Sequence, residues 1–523
     1  MKSKTIIVVS VFLFSSRLLA GAGGGDTITP PRSVQIFDNL SLIESWLYTS
    51  NSAAYSELNF SGLSLVQARY SFAERGIREA QEPGEVVSYN LLTRGIKKVK
   101  DLSFYGEFSY LNERYNNLMY NGTLRFNNWS PYSIGDTLNG RQFKEEFNLH
   151  GIASYSISDR LTFGTDVNYS STSGAKQKDP RNLNTISSLT FSPAIIFKSD
   201  PWAFGLSASV FSFNEENSFS VIGGDDPTLF LFLGLGYFKT ESNIYSYSNA
   251  FFGHGLGTAL QAVYERGRIS SATEVSFNSK TEEMRSGSSY RIIDGIGYLQ
   301  EFMLTNQTVI RSNRSANIFR LKARIASVSA DEVTMDMLRV TEGYLQYDSL
   351  VTLAWIKNKQ LDYRFDGDLS YTFMTLQANG IPDLDVSGGV KLSSFSSDHY
   401  PLATYGSLSS VNLTIYGHFR KTLQMRSLTF NPGLNIWYRT NLSKELKYKI
   451  MPKSFPEMVS RNFDAMSSTL IGGSLSLDLE KPFDNIFVKS LYMRPVASYI
   501  LSPDSEAAVT HNYLTELVIG ITF

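Results

Sequence analysis

The stretch Leu161-Thr162-Phe163-Gly164-Thr165-Asp166-Val167-Asn168-Tyr169-Ser170-Ser171 decides the fold. Leu161, Phe163, Thr165, Val167 and Tyr169 share one parity, and Thr162, Gly164, Asp166, Asn168 and Ser170 share the other. A period of two places these sets on opposite faces of a strand. The preceding segment repeats the pattern, with Phe147, Leu149, Ala153, Tyr155 and Ile157 opposed to Asn148, His150, Ser154 and Ser156. Between them Ser158-Asp159-Arg160 is a short polar turn, and the unit is a hairpin.

The unit recurs. Trp202, Phe204, Leu206, Ala208 and Val210 form an apolar face after Ser199-Asp200-Pro201. Phe319, Leu321, Ala323 and Ile325 oppose Arg320, Lys322 and Arg324. Leu361, Tyr363, Phe365, Leu369, Tyr371 and Phe373 oppose Asp362, Arg364, Asp366, Asp368, Ser370 and Thr372. Val411, Leu413, Ile415 and Phe419 oppose Asn412, Thr414, His418 and Arg420. These runs are about 10 to 14 residues long, the length a tilted strand needs to cross a bilayer. The strands of soluble sandwiches are mostly shorter.

Turn and loop lengths are asymmetric, as in bacterial outer-membrane barrels. Short turns are expected near 95–100, 158–160, 199–201, 266–268, 312–315, 357–360, 421–425 and 480–484. Longer connections are expected near 115–141, 172–183, 215–253, 281–296, 330–343, 377–409 and 440–464. The expectation is therefore an all-β transmembrane antiparallel barrel of about 16 to 18 strands, 14 remaining open, with short periplasmic turns and long extracellular loops.

Composition agrees once alternation is allowed for. The 523 residues carry 48 Lys+Arg against 49 Asp+Glu, a formal net charge of −1, which points to no nucleic acid. Mean hydropathy is −0.14, a nearly soluble value, because outward apolar and inward polar residues cancel. Aromatic residues make up 13%, led by 29 Tyr and 35 Phe. Lys2 and Lys4, the apolar run Thr5 to Phe14 and Ala20-Gly21-Ala22 predict a cleaved signal peptide over 1–22. Residues 23–60 are expected to form an N-terminal periplasmic or plug segment, with Leu40, Ile43 and Leu47 at helical spacing beside Trp46. The barrel is expected over 61–523, lodged in outer-membrane lipid after export. Without cysteine there is no lipoprotein anchor, disulfide or thiolate metal site, and no cofactor or metal is expected.

At the C-terminus Tyr513, Leu517, Ile519, Ile521 and Phe523 share one face and end in an aromatic residue. This resembles the signature read by the outer-membrane barrel assembly machinery, the partner expected during biogenesis. Other stretches resemble an uncharacterised family of Bacteroidota outer-membrane β-barrel proteins: Ser130-Pro131-Tyr132-Ser133-Ile134-Gly135-Asp136, Phe143-Lys144-Glu145-Glu146-Phe147, Asp179-Pro180-Arg181 and Leu233-Gly234-Leu235-Gly236. The resemblance implies fold and location, and no established activity. Asn51-Ser52-Ala53 faintly resembles the Asn-Pro-Ala element of fatty-acid transport barrels, but Ser stands in place of Pro and hydrophobic transport is not carried over.

The candidate functional residues are lumen-facing charges. Arg320, Lys322 and Arg324 line one strand, and Asp362, Arg364, Asp366 and Asp368 line another, expected two places along and so roughly 10 Å away. Such rows either favour small polar solutes or simply neutralise one another. The run Leu229 to Phe238, apolar on both parities, is expected to pack as a strand, fold inward or offer an apolar patch. No Gly-x-Ser-x-Gly or His-Glu-x-x-His motif occurs, His150 and His418 read as lumen polar residues, and an enzyme is not expected. The remaining readings are a channel or uptake component for a small solute, or a non-conducting accessory barrel that binds an outer-membrane or surface-exposed partner through its loops.

Overall fold

The computed structural model describes Phe37 and residues 44–523, apart from 59–61, 127–128, 224–226, 242–246, 288–291, 343–344, 378–381, 401–405, 426, 484–486 and 504–510. The signal-peptide region, Leu40 and Ile43 lie outside the described residues. The wall is one antiparallel sheet of nineteen segments. Gly406–Lys421 and Leu423–Met425 both pair with Leu428–Lys447 and are one strand interrupted at Thr422, so the wall has eighteen strands. It closes where Gly62–Arg75 pairs with His511–Thr522, from Leu65↔Thr522 to Arg75↔Asn512. Phe523 donates its N–H to the Ser64 carbonyl at 2.8 Å, which carries the seam to the last residue.

The alternation becomes an outside and an inside. Phe163, Val167, Tyr169, Phe204, Leu206, Val210, Leu369 and Ile415 are exposed on the outer face. An apolar exterior of this kind is stable only against lipid, and the girdle aromatics Trp202, Phe197, Tyr89 and Tyr499 fit the two interfaces. The described N- and C-terminal ends and the tight turns at Asp159-Arg160, Asp200-Pro201 and Gly267-Arg268 share one end, the periplasmic side by the usual polarity of such barrels.

Three expectations are corrected. Lys357 to Gln360 is not a turn but part of the strand Leu345–Leu376, which pairs with Ser315–Glu342 along its length. Asn358 takes φ 50° there, where the ladder skips a residue between Ala330 and Glu332, so this polar run is a bulge. The corresponding turn comes later, between Leu376 and Pro382, and the stretch expected as a loop at 377–409 contains the strand Pro382–His399. The supposed connection at 330–343 is likewise strand as far as Glu342. Beyond Glu332 and Gln360, where the neighbouring strands stop, Val333 to Ile356 rises as a bare two-stranded ribbon. Met337, Leu338, Tyr347, Leu353 and Trp355 are exposed on it.

Candidate functional site

The lumen is occupied from both ends by the chain itself. At the periplasmic end two short 3-10 turns, Ser45–Tyr48 and Ser52–Glu57, lie against the inner wall. Asn51 caps the second, accepting from the Ala53 N–H at 3.0 Å. Its Nδ2 donates to the Ile195 carbonyl and to Gln261 Oε1, both at 3.1 Å. Ser50 donates from N and Oγ to Glu274 Oε2 at 2.8 Å. Lys98 Nζ caps the Ser56 carbonyl at 2.6 Å, and Lys198 pairs with Glu57 at 2.6 Å. Trp46, Ala53 and Ala54 pack on Ile196, Val263 and Ala272. Gly164 makes room: a Cβ there would stand 2.3 Å from the Ala53 nitrogen.

From the other end the long connections fold inward as a cap. Leu229–Leu233 is the central strand of a small inner sheet between Tyr132–Gly135 and Phe238–Glu241. Both faces are covered. Leu229, Leu231 and Leu233 join Ile134, Phe219, Phe251 and Met284 of cap and wall, while Phe230 and Phe232 meet Met458 and Phe455 at the helix Pro456–Ser467. A strand buried on two sides has no reason to alternate, so Leu229 to Phe238 is apolar on both parities. The inner hairpin turns through Gly234 and Gly236, at φ +98° and +73°. Beside it Tyr237 stacks on His399 at 4.8 Å, and His399 Nε2 lies 3.1 Å from the Leu233 carbonyl.

Buried ion pairs fasten the cap. Arg125 reaches Glu215 at 2.6 Å and Glu282 at 2.5 Å, its guanidinium over the Phe213 and Phe251 rings. Lys176 holds Asp136 at 2.6 Å with both side chains buried. Tyr132 donates to the Asp331 carbonyl at 2.6 Å and lies flat where Gly295 leaves space. Arg439 donates to the Ala465 and Ser468 carbonyls at the C-terminal end of the cap helix, where a cation complements the helix dipole. Arg125 lies in a connection without periodicity, and Glu215 and Glu282 are charges in mixed strands, so none of the three had a sequence signature. Two of the segments behind the family resemblance meet here, since Tyr132 pairs with Leu233.

Beneath the cap lies a cavity of about 620 Å3, lined by Trp129, Arg364, Asp362, Ser393, Phe395 and Asn412 among others. The two charged rows run toward it, on adjacent strands rather than two places apart: Lys322 is opposite Asp368 and Arg324 opposite Asp366. The false turn at 357–360 had introduced a strand that does not exist. Arg324 bonds Glu301 at 2.5 Å and Asp366 at 3.4 Å; Lys391 is 3.7 Å from Asp366; Tyr416 donates to Asp368 at 2.6 Å. Arg320 bonds Gln307 at 2.8 Å and lies over the Tyr48 ring, joining wall to N-terminal segment. Arg364 stacks on Phe395, with Asp362 3.9 Å away and its Nε unpartnered. His150 pairs with Asp166 at 2.9 Å, and His418 lies 2.7 Å from Asn435 Oδ1. Among the described residues no group of three metal-ligating side chains converges.

A closed antiparallel barrel with an apolar exterior and a polar, internally occupied lumen defines a transmembrane barrel of the outer-membrane type. The chain belongs to a family of unknown function, DUF6850, whose model matches residues 52–523. No curated protein matches it. Among solved structures it is similar to the outer membrane transporter YddB from Escherichia coli, at 7% identity and TM-score 0.39, covering 88% of this chain and 80% of that one. It is also similar to BauA, the ferric preacinetobactin receptor of Acinetobacter baumannii, at 7% and 0.38, covering 88% and 80%. OccAB3 of Acinetobacter baumannii matches at 10% and 0.33, covering 88% and 99%. Likenesses this low have no bearing on what this barrel binds.

Proposed function

We propose that this protein is an outer-membrane uptake barrel for a small polar solute, closed at rest. The solute enters from the extracellular side and occupies the cavity under the cap. It leaves toward the periplasm once the segment around Ser45 to Glu57 shifts. The observation that carries this reading is the cavity of about 620 Å3, a volume suited to a small-molecule ligand, in a lumen occupied at both ends. The two closures differ in character. Both rest on apolar clusters, but the cap adds buried ion pairs, whereas the N-terminal segment adds hydrogen bonds to polar wall residues, which water can replace. Nothing in the proposed cycle requires bond chemistry, and no enzymatic step is part of it.

Planar-bilayer conductance and liposome swelling test the reading. The native chain should conduct little, and the double variant Asn51→Ala, Glu274→Ala should conduct several-fold more. A large steady conductance from the native chain would overturn the closed state. Silence from both would favour the accessory-barrel reading, which the exposed ribbon Val333 to Ile356 supports.

A further inference from the structure

A second cavity, of about 630 Å3, opens on the extracellular side between the loop 76–84 and the cap helix. Arg75, Arg78 and Arg461 line it. Arg78 gives its donors to backbone oxygens: Nε to Glu82 at 3.0 Å, Nη1 to Arg75 at 2.9 Å and Nη2 to Asn117 at 3.3 Å. Arg461 donates from Nε to the Arg78 carbonyl at 3.3 Å. Carbonyls fix the position of a guanidinium and leave its full charge in place. Among the described residues none of the three forms an ion pair. Burial and then the like charge of Arg461 lower the Arg78 guanidinium to about 10, with Glu82 opposing and Arg75 adding to the shift. Holding such cations together is unfavourable until an anion joins them. Four carboxylates also line the cavity: Glu457 and Asp464 are exposed and solvent-screened, Glu74 accepts from the Tyr513 hydroxyl, and Glu85 accepts from Asn116 Nδ2 at 3.0 Å. The three arginines are only partly exposed, and Arg78 and Arg461 are fixed through carbonyl oxygens.

This cleft adjoins the cavity under the cap, and Ile77, Arg78 and Ala465 line both. Past Arg78, on the inner side, stands Arg364 with its unpartnered Nε. We infer that the cleft between the loop 76–84 and the cap helix is an anion-binding vestibule, through which Arg75 and Arg461 draw a small carboxylate- or phosphate-bearing solute toward Arg78 and Arg364. The guanidinium fork suits both groups, since each presents two oxygens in a plane. This names the solute class for the uptake reading and rests on it.

Isothermal titration of the purified full chain in detergent, at low ionic strength, tests the site with inorganic phosphate, citrate and glucose as probes. Saturable binding of phosphate or citrate, weakened at least tenfold in Arg75→Gln, Arg461→Gln and unchanged in Glu457→Gln, is expected; glucose should give no heat. Arg461→Lys, which keeps the charge and loses the fork, should fall between. Retention of the folded band in unheated gel samples shows which variants fold. Absence of anion binding to the native chain, or equal binding to the double variant, overturns the proposal. The two readings fail separately. If the opened Asn51→Ala, Glu274→Ala chain passes glucose but anions do not bind, uptake stands and the vestibule falls. If anions bind but no solute passes, the reverse holds.

Discussion

Arg125 stands between Glu215 and Glu282, with Nε 2.6 Å from one carboxylate and Nη1 2.5 Å from the other. One residue from the inward-folded connection thereby pairs with two buried wall acids. Arg125→Ala would leave both without their counter-charge, and breaking a buried pair in this way costs about 3–5 kcal/mol. The expected outcome is rapid proteolysis of the connection around residues 119–139 while the barrel keeps its heat-modifiable mobility. Proteolysis at the native rate would show that the cap does not depend on this contact.

Gly295 gives Tyr132 its seat. A Cβ at Gly295 would stand 2.5 Å from the tyrosine ring. Gly295→Val should expel Tyr132 and raise conductance in bilayers. Tyr132→Phe loses only the bond to the Asp331 carbonyl and should lower stability by about 1 kcal/mol, read as a shift in the unfolding midpoint.

Glu79, in the loop 76–84, is pushed up to about 7, first by burial and then by Glu82, with Arg364 opposing. Its folded pKa is raised above the ordinary carboxylate value, so from about pH 4.5 to 7 the folded chain keeps a proton that the unfolded chain releases. Stability from this group is full below about pH 4.5 and is lost as pH rises to 7, by on the order of 2 kcal/mol. The difference in melting temperature between Glu79→Gln and the native chain should therefore grow in favour of the variant over that window. A pH-independent difference would mean that Glu79 titrates normally.

The lumen rows were legible in the sequence as residues but not as a geometry. Alternation put Arg320, Lys322, Arg324, Asp362, Asp366 and Asp368 on one parity. It could not place the turn between their strands, because Lys357-Asn358-Lys359-Gln360 lies above the membrane, where no lipid demands an apolar face. Pro382–His399 was hidden for a related reason: Gly388-Gly389 and the serines at 393–397 dilute its alternation. The cap was still less visible. A contact such as Arg125 to Glu215 joins residues 90 apart through a connection with no periodicity of its own. Only the doubly apolar Leu229 to Phe238 signalled that something folds inward.

With the rows adjacent, Asp362→Asn, Asp366→Asn, Asp368→Asn should leave Lys322 without its facing carboxylate and Arg324 with Glu301 alone. In the opened Asn51→Ala, Glu274→Ala background, reversal potentials should move toward anion preference. An unchanged potential would mean that permeating ions do not pass this wall.

The seam predicts an assembly phenotype. Phe523 bonds Ser64 through its backbone, and its ring is exposed on the outer face. Phe523→Ala keeps the backbone bond and removes the ring. A several-fold fall in membrane-inserted protein, with little change in the melting temperature of the fraction that does insert, is expected if the ring is read during assembly; equal yields would assign it to lipid contact alone.

The ribbon Val333 to Ile356 is more than an exposed surface, because of what lies at its root. Asp331 accepts from Tyr132 on one edge strand of the inner sheet, and Glu332 pairs with Lys239 on the other at 2.9 Å. Some ten residues of free strand above that point make an arm of about 30 Å. The root of the ribbon and both edges of the roof are thus one connected unit, so a load applied to the ribbon would reach both edges together.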